Sequence, residues 1–306
     1  TYKINDDALL FVATDRISIF DFVLPAQITY KGEVLTALTH FWLTQILDDL
    51  PHHLLLSPKY PSRNFAYELA KQFTDIELKR SLAVKKITIP PYEMIFRWHL
   101  GGSVYKDYQK TGIVAGQTVP ANLPKWSMLS KPLFTPSTKS ETSHDENTTT
   151  EKFFNQMGGT GARTIRIMEL AYTRAYAYAL SRGILILDTK FEGLEMIADE
   201  VLTPDSSRFT IADDWREAMR IGRDPIFYDK ESVRQWGKTV PTPFSKDNQL
   251  IIGLNNLNPE NNAHKEFVHS LAVPSDVLLR ATERYLKIFE LLTGMALKDY
   301  QQKHLL

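Results

Sequence analysis

Short apolar runs and longer helical stripes divide this chain into recognisable elements. Residues 8–13 (Ala-Leu-Leu-Phe-Val-Ala) predict a buried strand that ends in the polar loop Thr14-Asp15-Arg16-Ile17-Ser18. Across residues 33–50, Leu35, Leu38, Phe41, Trp42 and Ile46 recur near helical spacing and predict a helix. Two strands are predicted over 82–89 and 93–98, on either side of Pro90-Pro91, because two prolines cannot continue a central ladder. Residues 111–149 are rich in Gly, Pro, Ser and Thr and predict a long surface excursion. Thr148 with Glu151 forms a capping-box pattern, opening a helix that Gly158-Gly159-Thr160-Gly161 breaks. A second helix follows to about Arg182, with Ile165, Met168, Tyr172, Ala175 and Ala179 on one stripe and Gly183 as its stop. Ile184-Leu185-Ile186-Leu187 then predicts a buried strand. Pro274-Ser275-Asp276 opens a last long helix, with Val277, Ala281, Tyr285, Ile288 and Leu292 inward and Gly294 ending it. Strands occur both adjacent and separated by helices, which predicts a mixed α+β fold in two lobes, 1–90 and 91–306, joined near residue 90.

Composition narrows the class. The 306 residues are 43% hydrophobic and 24% charged, which is ordinary for a globular chain. Lys+Arg and Asp+Glu each total 36, so the net charge is zero and no bulk basic field favours nucleic acid or an anionic membrane. No apolar run approaches the roughly 20 residues of a membrane helix. The absence of cysteine excludes disulfides and thiolate metal sites and suits a cytoplasmic protein. The chain opens Thr1-Tyr2 without methionine, so an incomplete amino terminus is expected.

The densest chemistry follows the apolar run. Asp188, Lys190 and Glu192 are two apart, so in an extended chain they project from one face. A reversal at Gly193 would bring Asp199 back towards Glu192, giving two hard carboxylates of the kind magnesium takes together with phosphates and water. An exposed sheet face with a solvated Asp–Lys pair explains the same pattern, at ~0–1 kcal/mol. Thr203-Pro204-Asp205-Ser206-Ser207-Arg208 could wrap a phosphate with hydroxyls and a guanidinium, or simply start a helix with Asp205 or Ser206 as its cap. Arg97 precedes Gly101-Gly102-Ser103, where glycines let backbone amides approach an anion or merely turn a hairpin. Lys139 and His144-Asp145-Glu146-Asn147 lie in the excursion, as nucleotide contacts or as a solvated loop. No Walker, H-E-x-x-H or G-x-S-x-G pattern occurs. The tyrosine-rich stretch 172–178 reads as core.

Taken together, these segments resemble the SAICAR synthetase (phosphoribosylaminoimidazole-succinocarboxamide synthase) family in its longer single-chain form. The resemblance is carried by Ala13-Thr14-Asp15-Arg16-Ile17-Ser18, 93–103, Phe134-Thr135-Pro136-Ser137-Thr138-Lys139, 144–147, 188–192, 199–208 and Glu290-Leu291-Leu292-Thr293-Gly294. It implies an antiparallel-sheet amino-terminal lobe, a larger mixed α/β lobe and ATP in the cleft between them. It also implies a ligase that joins L-aspartate to the carboxylate of carboxyaminoimidazole ribonucleotide with ATP and Mg2+. By resemblance, Glu192 and Asp199 hold the metal, and Lys190 and Asp188 face the reacting carboxylate and imidazole. Arg208, Ser206, Ser207, Arg97 and Ser103 hold the ribonucleotide phosphate, and Asp205 belongs to the same turn. Asp15 and Arg16 line the cleft, Asp145 lies near the substrate and Lys139 near the nucleotide. The backbone from Lys85 through Ile87 meets adenine.

The chain also departs from the family pattern. The family's Gly-Lys-Val-Arg-Asp strand and loop would fall just before Thr1. The usual Glu-Phe-Gly reads Glu192-Gly193-Leu194, and Gly101 stands where Thr or Ala is common. A kinase-like phosphotransferase and a catalytically altered paralogue are the alternatives.

Overall fold

The structure, a computed structural model, describes residues 1–55, 74–139, 146–246 and 248–306. Strands β1 (Tyr2–Lys3), β2 (Ala8–Val12), β3 (Arg16–Ile19) and β4 (Phe22–Gln27) precede helix α1 (Lys31–Phe41), which continues as a π-helical turn over Trp42–Ile46. Helix α2 (Asp75–Leu78) leads to β5 (Ser81–Lys85) and β6 (Tyr92–His99). Then come α3 (Val104–Thr111), β7 (Ile113–Val114), β8 (Gln117–Thr118), β9 (Met128–Phe134), β10 (Ser137–Thr138) and β11 (Glu146–Asn147). The long helix α4 (Thr150–Ser181) is followed by β12 (Ile184–Phe191), β13 (Ser207–Ile211), α5 (Ala212–Ile221) and α6 (Glu231–Thr239). The chain closes with β14 (Pro241–Lys246), β15 (Gln249–Ile252), α7 (Asn262–His269), α8 (Ser275–Thr293) and α9 (Leu297–His304).

Two sheets organise the cleft. The first is three-stranded and antiparallel in the order β1-β2-β5. The second runs β11-β10-β6-β12-β13, with β9 also on β6. Strand β6 thus takes β10 at its start and β9 at its end along one edge, and β12 along the other. Along β6 the core side is Tyr92, Met94 and Phe96, all buried, so Glu93, Ile95 and Arg97 share the opposite face. The main core joins Tyr92, Met94 and Phe96 to α1 (Leu38, Phe41, Trp42), α4 (Met168, Tyr172, Ala175) and α8 (Tyr285, Ile288, Leu292). A second core seats Ile17, Ile19 and Leu24 on Val233, Leu254 and Val277. The predicted stripes on α4 and α8 are therefore the buried ones, and Gly294 ends α8 at φ 72°.

Several expectations change. The described part of the 111–149 segment is not all surface: β9 is a strand of the main sheet, and Leu129, Leu133, Phe134, Thr135 and Ser137 are buried. Its Pro132 and Lys131 break the alternation that would have announced a strand. Strand β5 stops at Lys85 rather than running to residue 89. The cap of α4 is Thr149, whose hydroxyl accepts from Lys152 N at 3.2 Å, instead of Thr148. Gly158, at φ 55°, leaves helical geometry and divides α4 into two helical segments across a kink, as the glycine run predicts. Helix α1 opens two residues before Glu33, and the 33–50 stretch leaves regular helix at Trp42. Thr203–Arg208 starts no helix: it turns into β13. Gly101-Gly102-Ser103 leads into α3 rather than closing a hairpin.

Candidate functional site

Three strands place the charged row. Arg97 on β6 pairs in register with Asp188 on β12, which pairs with Arg208 on β13. Asp188 Oδ2 accepts from Arg97 Nη1 and from Arg208 Nη1, both at 2.5 Å. Asp188 and Arg97 are buried, and Arg97 Nε also donates to Thr135 Oγ1 at 2.9 Å. The register depends on a bulge in β12 between Ile186 and Asp188. Tyr172 of α4 holds that bulge, its hydroxyl donating to Ile186 O at 2.7 Å and Leu187 O at 3.1 Å. Beside the row, a Cβ on Gly102 (φ 69°) would stand 3.1 Å from both guanidinium Nη1 atoms, so glycine keeps that approach open. Gly101 has its own reason: the Trp126 ring occupies the position of its missing Cβ, at 2.0 Å.

The row floors a cavity of ≈ 220 Å³, also lined by Ser103, Lys190, Asp205, Ser206 and Ser207. Asp229 and Arg234 from the start of α6 complete it. The two serines have local work. Ser206 Oγ accepts from Thr203 N at 3.1 Å, and Ser207 Oγ shares a hydrogen bond with Thr189 Oγ1 at 2.7 Å. Ser103 is exposed at the rim, its hydroxyl donating to Asn147 Oδ1 at 3.4 Å.

Further along β12, Lys190 Nζ meets Glu93 Oε1 at 2.9 Å and Glu192 Oε1 at 3.3 Å. Lys139 Nζ takes the other Glu192 oxygen at 2.7 Å. Burial alone pushes the Glu192 carboxyl up, but Lys190 and Lys139 outweigh it and hold it below the ordinary range. Burial disfavours the Lys190 ammonium, yet Glu93 and Glu192 raise its pKa overall. The chain reverses at Gly193 (φ 124°), where a Cβ would fall 2.1 Å from Met196 O. Ala198 N donates to Glu192 O at 2.9 Å, which delivers Asp199 to Glu192 as the spacing anticipates. Burial and the Glu192 charge raise the Asp199 pKa.

Asp199, Glu200 and Asp205 line a second cavity of ≈ 290 Å³, with Phe11, Val12, Thr14 and Leu82 on the β2–β5 side. Asp205 belongs to both cavities. It is held by Lys31 Nζ at 2.7 Å and by Tyr285 OH at 2.5 Å. Burial opposes its ionisation, but Lys230 and Lys31 keep it low, while burial and the Asp205 charge push Glu200 up. Two hard carboxylates, Glu192 and Asp199, one raised by the other's charge, fit a divalent cation that draws its remaining ligands from phosphates and water. Among the described residues no group of three His, Asp or Glu forms a complete cage.

Other expected site residues fall elsewhere. Asp15 is buried and structural in its contacts: Oδ1 accepts from Gly32 N at the start of α1 at 2.9 Å, and Oδ2 from Arg80 Nη2 at 2.6 Å. Arg16 is exposed, with Nε 3.5 Å from Thr14 Oγ1. Lys85 is exposed and Ile87 half-buried, and neither lines the two cavities. Asp145 lies outside the described residues. Lys31, Glu93, Glu200, Asp229 and Arg234 were not anticipated individually. Glu200 follows Asp199 in the loop after β12, while the others arrive from α1, β6 and the start of α6 through tertiary packing, with the polar run Asp229-Lys230-Glu231 after Phe227-Tyr228 as a local hint.

A cleft that sets paired arginines beside two close carboxylates has the charges to meet phosphates and a cation, as an enzyme that uses a nucleotide requires. A profile of the SAICAR synthetase family matches residues 1–250. The phosphoribosylaminoimidazole-succinocarboxamide synthase of Maridesulfovibrio salexigens is 37% identical over 302 residues, 95% of this chain and 90% of that one. The enzyme of the same name from Geobacter sulfurreducens is 42% identical over 250 residues, 78% of this chain and 82% of its own. The SAICAR synthase of Saccharomyces cerevisiae, solved in complex with SAICAR, has a TM-score of 0.73 at 30% identity, covering 96% of this chain and 91% of that one. A SAICAR synthetase solved with ADP shares the fold at TM-score 0.61 and 18% identity, covering 96% and 94%. The chain belongs to the SAICAR synthetase family. It is an ATP-dependent carbon–nitrogen ligase of purine biosynthesis.

Proposed function

We propose that the ≈ 220 Å³ cavity takes the ribonucleotide and the ≈ 290 Å³ cavity the ATP side, with Asp205 at the junction. The observation that carries this is the Arg97–Asp188–Arg208 row, which presents two guanidiniums to one cavity next to the carboxylates Asp199 and Glu200 at the other. A ribonucleotide phosphate would be met by Arg208 and Arg97, with Ser103, Ser206 and Ser207 as supporting hydroxyls. Arg234 on the same wall adds a further guanidinium. The site first has to activate a carboxylate, because oxide is a poor leaving group. An oxygen of the substrate carboxylate attacks the γ-phosphorus of ATP, the bond to ADP breaks and an acyl phosphate forms. The aspartate nitrogen then attacks the acyl carbon and loses a proton as phosphate departs, leaving the amide.

Lys190 would stabilise charge on the reacting carboxylate, and Lys139 charge on the nucleotide phosphates. Asp188, buried between the two arginines, would fix the imidazole end. Glu192 and Asp199 would hold Mg2+, which when bound neutralises phosphate charge. The backbone from Lys85 through Ile87 would meet adenine, and Asp15, Arg16 and Asp145 stay assigned to the cleft. We divide the chain at residue 90 into an ATP-side sheet and a substrate lobe, with α1 packed on the latter, and place the reaction in the cytoplasm. Incubation with ATP, Mg2+, aspartate and the carboxylated ribonucleotide tests the reading. ADP release that requires aspartate is expected. Release without aspartate makes the protein a phosphotransferase and overturns it.

A further inference from the structure

Trp126 stands at φ 69°, in the left-handed region that a bulky side chain rarely adopts. Strain of this kind persists only where the surroundings over-determine it, and it concentrates beside functional sites. Here the backbone is pinned on both sides. Trp126 N donates to Leu100 O at 2.7 Å, and Trp126 O accepts from Trp215 Nε1 of α5 at 3.0 Å. The buried ring is held as firmly. Its Nε1 donates to Asp224 Oδ1 at 2.8 Å, and Phe227 meets it edge-on with centroids 5.0 Å apart. Its six-membered ring fills the place that a Gly101 Cβ would take. Trp126 itself lines neither cavity.

What lies over the ring is the Arg208 guanidinium, with Cζ 5.7 Å from the ring centroid. Lys125 Nζ also approaches the ring, at 5.3 Å, but that side chain is 40% exposed and tied to Asp224 Oδ2 at 2.7 Å, so water screens it. Arg208 is more enclosed and lines the ≈ 220 Å³ cavity. Among the described residues its guanidinium has one hydrogen-bond partner, Asp188. A planar group held at a single nitrogen can turn about that bond, keep Asp188 and lose its aim at the cavity. Arg97 is fixed by a second bond, from Nε to Thr135 Oγ1 at 2.9 Å. Arg208 has an aromatic ring in that role, and guanidiniums are attracted to such rings most strongly where water is excluded.

We propose that Trp126 is a positioning residue for Arg208: its ring, seated in the space Gly101 leaves, carries the guanidinium and keeps it facing the ribonucleotide cavity. The inference rests on reading Arg208 as a ligand of the ribonucleotide phosphate. The test is a double-mutant cycle of W126L with R208M, read as the KM for the ribonucleotide, the KM for ATP, kcat and the melting temperature. W126L should raise the ribonucleotide KM about tenfold and leave kcat and the ATP KM within about twofold. In the R208M background the same change should add less than about twofold, because the group it aims is gone. W126F keeps a smaller ring and most of the packing, so its ribonucleotide KM should fall between wild type and W126L, and it carries the test should W126L not fold. G101A, whose Cβ would enter the ring, should raise the same constant. An unchanged ribonucleotide KM in folded W126F and G101A overturns the proposal. So does a rise of the same size in the R208M background, which would make Trp126 act independently of Arg208. Equal rises in both KM values overturn it too, by making the residue merely structural. An unchanged ribonucleotide KM in R208M itself removes the phosphate reading of Arg208, and the proposal with it.

Discussion

The two cavities that meet at Asp205 are charged on opposite plans. In one, Asp188 is locked between Arg97 and Arg208 by strand register, so these three charges are partnered inside the sheet. In the other, Asp199 and Glu200 crowd together with raised pKa values. The first arrangement is complete before any ligand arrives, and its guanidiniums stay aimed because Asp188 fixes them. Such preorganisation suits a group carried passively through the reaction, a phosphate that is held and does not react. The second arrangement holds unrelieved like charge, which a cation relieves. Its design suits a centre whose charge changes as phosphoryl transfer proceeds. Under the proposed function, the arginine row holds the ribonucleotide phosphate, and the carboxylates of the second cavity stand where phosphoryl charge changes.

Breaking the reactive side should have the largest effect. Glu192→Gln removes the carboxylate that Lys139 and Lys190 both grip. Turnover should fall by about 10³-fold or more, with the melting temperature little changed, since Lys190 keeps Glu93. Steady-state kinetics check it, and activity within tenfold of wild type would take the metal away from this pair. Breaking the holding side should instead show in affinity. Arg208→Met should raise the ribonucleotide KM by about 10²-fold with kcat far less affected, given about 1.5–3 kcal/mol for a charged hydrogen bond. An unchanged KM would remove Arg208 from the phosphate. Gly102→Ala, which crowds both guanidiniums at 3.1 Å, should show the same pattern more weakly.

The two sides also differ in how much of them the sequence shows. The parity of Asp188, Lys190 and Glu192 and the reversal to Asp199 can be read locally, because period two and a glycine turn are local facts. Arg97 and Arg208 can be read as arginines beside turns, but their shared partner cannot. It depends on a bulge fixed from α4 by Tyr172, which on sequence alone is just one core residue in a stripe. Lys31 and Tyr285, which grip Asp205, come from helices far away in sequence. Lys131 and Pro132 hide strand β9, and they are tolerated because they lie in the irregular stretch of its pairing with β6, between the Arg97–Leu133 and His99–Met128 pairs. Local periodicity thus reports one strand's face and says nothing of what packs against it.

A pH measurement sharpens the comparison on the holding side. Asp229 lines that cavity 1% exposed, and burial lifts its carboxyl from 3.8 to about 6, against the pull of Arg234 and Arg208. Between 3.8 and about 6 the folded chain keeps a proton that the unfolded chain has lost. The contribution to stability is complete below that window and falls as pH rises through it, by at most about 1.4 kcal/mol per pH unit. Asp229→Asn keeps the acceptor for Glu231 N (2.7 Å in wild type) and should flatten this slope. Urea midpoints from about pH 4 to about pH 7 decide it, and parallel curves for the two proteins would contradict the assignment.

The smallest effect tests whether the row needs its bulge. Tyr172→Phe keeps the packing of a fully buried ring and removes one hydroxyl. That hydroxyl donates to the carbonyls of Ile186 and Leu187 and accepts from Trp98 N at 3.0 Å. Its loss leaves buried backbone groups of β6 and β12 unpaired, which should destabilise the chain by about 1–3 kcal/mol. If the bulge sets the register, the same change should also raise the ribonucleotide KM, because Asp188 and its two arginines would shift together. Glu192 and Asp199 lie beyond the bulge, on the turn closed by the Ala198 N to Glu192 O bond, so the KM for ATP should hold. Equal rises in both constants would mean that the two cavities are mechanically one, and the division between holding and reacting would fail.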